Sequence, residues 1–160
     1  MRRHLSHFGA GLAVAAVAAT AGCGSGTEPQ RQAGSLCPRA IAAALGDGAR
    51  GQLDDRAPNV LTCTFRVSAT AVRVTIDSAP QALTRFSRTV VERGQAHLGD
   101  PRAELPVEIG GIGVGAAWVA AARELSATDG RRLVTVTVVT PQAGARPRAT
   151  AAAVARAALG

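Results

Sequence analysis

The 160-residue chain has no lysine and no tyrosine, and it carries three phenylalanines, one tryptophan and three cysteines. Without lysine it cannot build a Walker-type phosphate loop, and with so few rings it lacks the base-stacking surface of a nucleic-acid module. Every base is arginine, eighteen against eleven acids, for a net charge of +7. These arginines are spread along the chain, a pattern that GC-rich coding produces as readily as an acidic partner would select it. No nucleic-acid partner is expected. A solvated surface is the expected use of the charge, with weak attraction to anionic headgroups, about 1 kcal/mol per basic residue, as the alternative. No Cys-x-x-Cys pair is present, so neither a dithiol redox site nor a zinc site can be assembled from close cysteines. There is also no long hydrophobic run. The longest, residues 8–21, falls short of the roughly 20 apolar residues that cross a bilayer.

That short run has another meaning. Arg2, Arg3 and His4 precede it, and small residues, Ala and Val above all, fill it, as in the charged and apolar regions of an export signal. It ends in Thr20-Ala21-Gly22-Cys23, which resembles a lipobox, where a cysteine is diacylated on sulfur before cleavage on its amino side. Ala19-Thr20-Ala21 equally fits the small-x-small site of ordinary secretion. Cysteine parity favours the first and leaves the second open. An exported protein normally pairs its thiols, and lipidation of Cys23 would leave Cys37 and Cys63 to pair with each other. The expected organisation is therefore a lipoprotein signal peptide over 1–22, a flexible tether over 23–34, and one domain over 35–160. Removing the signal leaves 138 residues with sixteen bases against eleven acids, a charge of +5. The tether is almost free of apolar residues, and its ends should lie on the order of 20 Å apart.

Within the domain, Pro38 and Gly46 bracket a short helix with Ile41 and Leu45 on one face. Residues 47–59 are rich in Gly, Asp and Pro and are expected to form a loop. From Val60 the period changes to two: Leu61, Cys63, Phe65 and Val67 on one side, then, after a turn at residues 68–70, Val72, Val74 and Ile76. These two strands should form an antiparallel hairpin. Ser78 and Pro80 introduce an amphipathic helix in which Leu83, Phe86 and Val90 face the sheet while Arg85, Arg88, Glu92 and Arg93 face away. A loop is expected over 94–115. Residues 116–122 are expected as a strand, although their alanines also favour helix. A turn at Asp129-Gly130 leads to the strand of Val134, Val136 and Val138, and an Ala-rich helix over 148–159 closes the chain. The order α-β-β-α-β-β-(β)-α predicts an α+β fold with an antiparallel sheet of about five strands.

Cys37 at the head of the first helix and Cys63 on the inward side of the first strand are expected to form one structural disulfide, worth roughly 3 kcal/mol for a loop of this length. His97 is the sole histidine after the signal, and it has Asp100 but no serine or cysteine motif beside it, so no triad can be argued. Asp54, Asp55, Glu104 and Glu108 are scattered and expected to be solvated surface charge. Gly111-Ile112-Gly113-Val114-Gly115 lacks the spacing and the lysine of phosphate-binding loops and is expected to be a tight turn entering a strand. Trp118 just beyond it is expected as core or pocket wall.

Taken together, Cys37 opening a helix that ends Leu45-Gly46, Cys63-Thr64-Phe65 in a strand, and Gly111-Ile112-Gly113 leading to Ala116 and Trp118 resemble the actinobacterial lipoproteins of the domain-of-unknown-function 3558 family (DUF3558). The resemblance covers nearly the whole mature chain. It implies an anchored α+β domain with one disulfide and no established activity. The expected function is that of a non-enzymatic binding module, lipid-anchored at the extracytoplasmic face of the cell membrane, with no metal and no cofactor. Its expected partners are the membrane, through Cys23, and an envelope protein or an apolar small molecule held in a groove lined by Leu83, Phe86, Val90 and Trp118. An accessory subunit of an envelope complex is the alternative. A cell-envelope hydrolase would need a buried nucleophile and base, for which the sequence offers no arrangement.

Overall fold

The computed structural model describes residues 36–96, 105–140 and 146–160. The leader, the tether with Cys23, and His97, Asp100 and Glu104 lie outside these residues. Helix α1 (Arg39–Leu45) starts after Pro38 and stops at Gly46, whose positive φ of 99° and N–H to the Ala43 carbonyl close the last turn. The chain continues as β1 (Arg50–Ala57), β2 (Val60–Val67), β3 (Thr70–Asp77), α2 (Ala82–Gln95), β4 (Val107–Glu108), β5 (Gly115–Val119), β6 (Glu124–Thr128), β7 (Leu133–Thr140) and α3 (Pro147–Leu159). The fold is α+β: all seven strands join one antiparallel sheet in the order β1-β2-β3-β7-β6-β5-β4.

Seven strands replace the expected five or so for identifiable reasons. β1 occupies the predicted loop 47–59. Its sequence, RGQLDDRA, carries little hydrophobic pattern because it is an edge strand, held by its ladder to β2 and largely solvated on its outer side. A bulge between Leu53 and Asp55 and the charges of Asp54, Asp55 and Arg56 blunt that edge against further pairing. Gly51 is required there, since a Cβ would stand 2.7 Å from the Phe65 ring and 3.0 Å from the Cys37 Cβ. β4 is a two-residue strand inside the predicted loop 94–115, at the opposite edge. The expected strand over 116–122 is shorter and shifted: β5 ends at Val119, the chain reverses over 120–123, and β6 rather than β5 precedes the Asp129 turn. That reversal contains no Gly, Pro or Asn; Arg123 itself takes the left-handed conformation at φ 49°, so the usual punctuation is missing.

The two sides of the sheet differ chemically, as the alternation of β2, β3 and β7 requires. One side carries Cys63, Phe65, Val72, Val74, Leu125, Val134, Val136 and Val138. It is covered by Ile41 of α1 and by Ala151, Val154, Ala155 and Ala158 of α3, and this is the core. The Cys37–Cys63 disulfide ties the head of α1 to this face. The other side is polar. Thr62 shares a 3.2 Å hydrogen bond with Thr75, and the Thr64 hydroxyl donates to Asp54. Helix α2 covers this side over β5, β6 and β7 and leaves the remainder to solvent.

Candidate functional site

Helix α2 packs with a different stripe from the expected one. Ala82 is fully buried, Phe86 and Val90 are half-buried, and Leu83 is 52% exposed. The Phe86 ring lies over Gly115, with a ring carbon 3.1 Å from where a Cβ would stand. Two arginines expected to face water do other work. Arg85 reaches Asp77 at 3.2 Å and also donates to the Pro80 carbonyl. Arg93 donates to the buried Glu124 carboxylate at 3.0 Å. The sheet beneath α2 presents Glu124, Ser126 and Thr128, all buried. A partly polar helix face suits that surface better than an all-aliphatic one would.

Trp118 belongs to the other side. Strand alternation sends Gly115 and Ala117 toward α2 and sends Ala116 and Trp118 into the core, where Trp118 is buried. The four residues expected to line one groove are therefore divided: Phe86 and Val90 under α2, Leu83 in solvent, Trp118 beneath the sheet on the α3 side. Val91 and Leu83 lie on the outward side of α2.

The glycine motif forms the tight turn expected of it. Gly111 and Gly113 adopt φ values of 72° and 56°, and β5 begins at Gly115. At Gly113 a Cβ would fall on the Thr128 carbonyl oxygen, which accepts a hydrogen bond from the Val114 N–H. Gly113 is thus packed against β6, whereas Gly111 has open space around it. Among the described residues, no three His, Cys, Asp or Glu side chains converge to hold a metal ion.

The β6–β7 turn carries the clearest electrostatic arrangement. Asp129 accepts from the backbone N–H groups of Arg131 and Arg132, at 2.8 and 2.6 Å, and from Arg132 Nε at 2.9 Å. Burial opposes the charge of this carboxylate, but these donors and the adjacent guanidinium outweigh it and hold its pKa below the ordinary value. The same guanidinium donates to the Ala158 and Leu159 carbonyls. Arg132 thus ties a hairpin turn to the C-terminal end of α3, whose exposed carbonyls favour a cation.

Among the described residues, the surface concavities include three of note. A polar one of about 280 Å³ lies on the open part of the sheet and includes Asp54, Thr64, Arg66 and Arg73. A second of about 280 Å³ lies at the β1–β2 turn between Leu36, Pro58, Val60 and Ile76. The largest of the three, about 420 Å³, runs along the flank of α3 and is lined by Ile109, Arg146, Arg148, Ala149, Ala152 and Arg156. Arg148, Ala152 and Arg156 stand four residues apart, so they form one stripe of the helix beside Ile109. Arg156 Nε donates to the Gly111 carbonyl at 3.3 Å, which fixes that side chain against the glycine turn. Sequence pattern alone does not reveal this constellation, because two of its arginines flank a proline and the third lies two turns on. The available signal was the lack of any acid between residues 141 and 160.

Compared with known protein families, curated proteins and solved structures, the chain matches none.

Proposed function

We propose that this chain is an exported lipoprotein, anchored to the cell membrane through a diacylated Cys23, whose α+β domain is a non-enzymatic module that binds a ligand or an envelope partner. The observation that carries the reading is the Cys37–Cys63 disulfide. It fits an oxidising compartment, and it leaves Cys23 as the odd cysteine of a three-cysteine chain, next to the small residues a lipobox needs. The resemblance to the DUF3558 lipoproteins agrees with it. An accessory role in an envelope complex uses the same anchor and differs only in what the domain meets.

Mass spectrometry of the mature N-terminus tests the anchor. The expected first residue is Cys23 bearing acyl groups. A mature chain beginning at unmodified Gly22 would instead establish cleavage after Ala21 and ordinary secretion. Co-purification of the intact protein from native membranes tests the binding half. Reproducible enrichment of one lipid class or one envelope protein is expected, and background alone would remove the binding-module reading.

A further inference from the structure

We infer that the groove beside α3 is a binding site for the headgroup of an anionic phospholipid. The inference deepens the binding-module reading by naming a ligand class and the residues that take it.

Charge is the first ground. Arg146, Arg148 and Arg156 line one groove, and among the described residues no carboxylate lines it and none of the three forms an ion pair. The other described pairs show that acids are available elsewhere: Arg73, Arg85, Arg93 and Arg132 each have one. Two of the groove arginines also stand at an unfavourable place. Arg146 occupies the N-cap position of α3 without a side-chain capping bond, and Arg148 lies in the first turn, which contains no acidic residue, so both oppose the positive end of the helix dipole. Uncompensated local choices of this kind are expected where a site, rather than the fold, sets the residue.

The shape and chemistry of the walls narrow the ligand. Between and beside the guanidiniums, Ile109, Ala149 and Ala152 supply apolar wall, and the volume of about 420 Å³ is within the range of small-ligand sites. A simple inorganic anion would leave that apolar wall unused, and an uncharged apolar molecule would leave the positive charge of these three exposed arginines unmatched. A phosphodiester joined directly to glycerol and the first acyl carbons satisfies both. Guanidinium forks also suit phosphate oxygens, which they bind through paired N–H donors.

The test is a binding titration of the full chain with dihexanoyl phosphatidylglycerol, kept below its micellar concentration, against dihexanoyl phosphatidylcholine and inorganic phosphate. The anionic lipid is expected to bind at least about tenfold more tightly than either comparison ligand. The R146A/R148A/R156A variant should lose at least about tenfold of that affinity while circular dichroism and the disulfide stay unchanged. The R146K/R148K/R156K variant separates guanidinium recognition from charge, and intermediate affinity is expected. Equal binding of phosphatidylcholine, phosphate binding as tight as the lipid, an alanine variant as good as the parent, or no binding at all would each overturn the inference. None of these outcomes touches the anchor at Cys23, which the N-terminal mass decides separately.

Discussion

Asp129 and the two turn glycines show how individual positions hold the domain together. Replacing Asp129 with alanine removes the acceptor for two backbone N–H groups and for Arg132, and should cost about 1–3 kcal/mol at neutral pH. The pH dependence has a defined sign. The folded pKa of Asp129 is lowered, so its contribution is fully present above the unfolded carboxylate value, near 4, and is lost as pH falls through the folded value. Denaturant unfolding of parent and Asp129→Ala should therefore differ most at pH 7, and the difference should narrow as pH falls below about 4. A difference that is constant with pH would mean the carboxylate charge is not what the turn uses. At the glycines, Gly113→Ala meets both a positive φ and the Thr128 carbonyl, and should cost at least about 2 kcal/mol. Gly111→Ala has open space around it and should cost about 1 kcal/mol, from the left-handed backbone alone. Equal losses at the two sites would contradict the packed turn.

At the scale of elements, the disulfide and α2 make separable predictions. Cys37→Ala/Cys63→Ala should lose roughly 3 kcal/mol of stability, since the bridge spans a sequence separation of 26. Thiol titration of the folded parent should find both groups blocked until reduction, and two reactive thiols would refute the staple. On α2, Phe86→Ala should cost about 2 kcal/mol because its ring covers Gly115, while Leu83→Ser should stay within about 0.5 kcal/mol. The same helix shows where sequence periodicity stops informing. Leu83, Phe86 and Val90 predicted that an amphipathic helix exists and which sheet it meets, but the packed stripe depends on what lies beneath it. That surface carries a buried acid, Glu124, which pairs with Arg93, and Leu83 is left outside the packed stripe. The β2–β3 hairpin, β7 and α1 were legible because alternation or caps marked them. β1 and β4 were not, since edge strands owe their form to a neighbour's ladder. The β5–β6 reversal was hidden because Arg123 takes a turn position usually given to glycine or asparagine. The arginine groove was equally hard to see, because it joins Ile109 to a helix some forty residues later.

The whole molecule joins a core on one face of a seven-stranded sheet to a polar opposite face that α2 covers in part. Among the described residues, no helix is long and apolar enough to cross a membrane; under the proposed function, attachment would come from the lipid at Cys23. Two or three acyl chains on one residue supply firm anchoring, at about 0.8 kcal/mol for each buried methylene. The groove arginines would then act close to headgroups to which the protein is already tethered, where even modest intrinsic affinity becomes effective. The most direct measurement of the central claim is membrane fractionation of Cys23→Ala beside the parent chain, with metabolic acyl labelling of both. The parent should be labelled and found in the membrane fraction, and the variant should be unlabelled and no longer undergo lipoprotein maturation. A Cys23→Ala variant that still incorporates acyl label would contradict that claim.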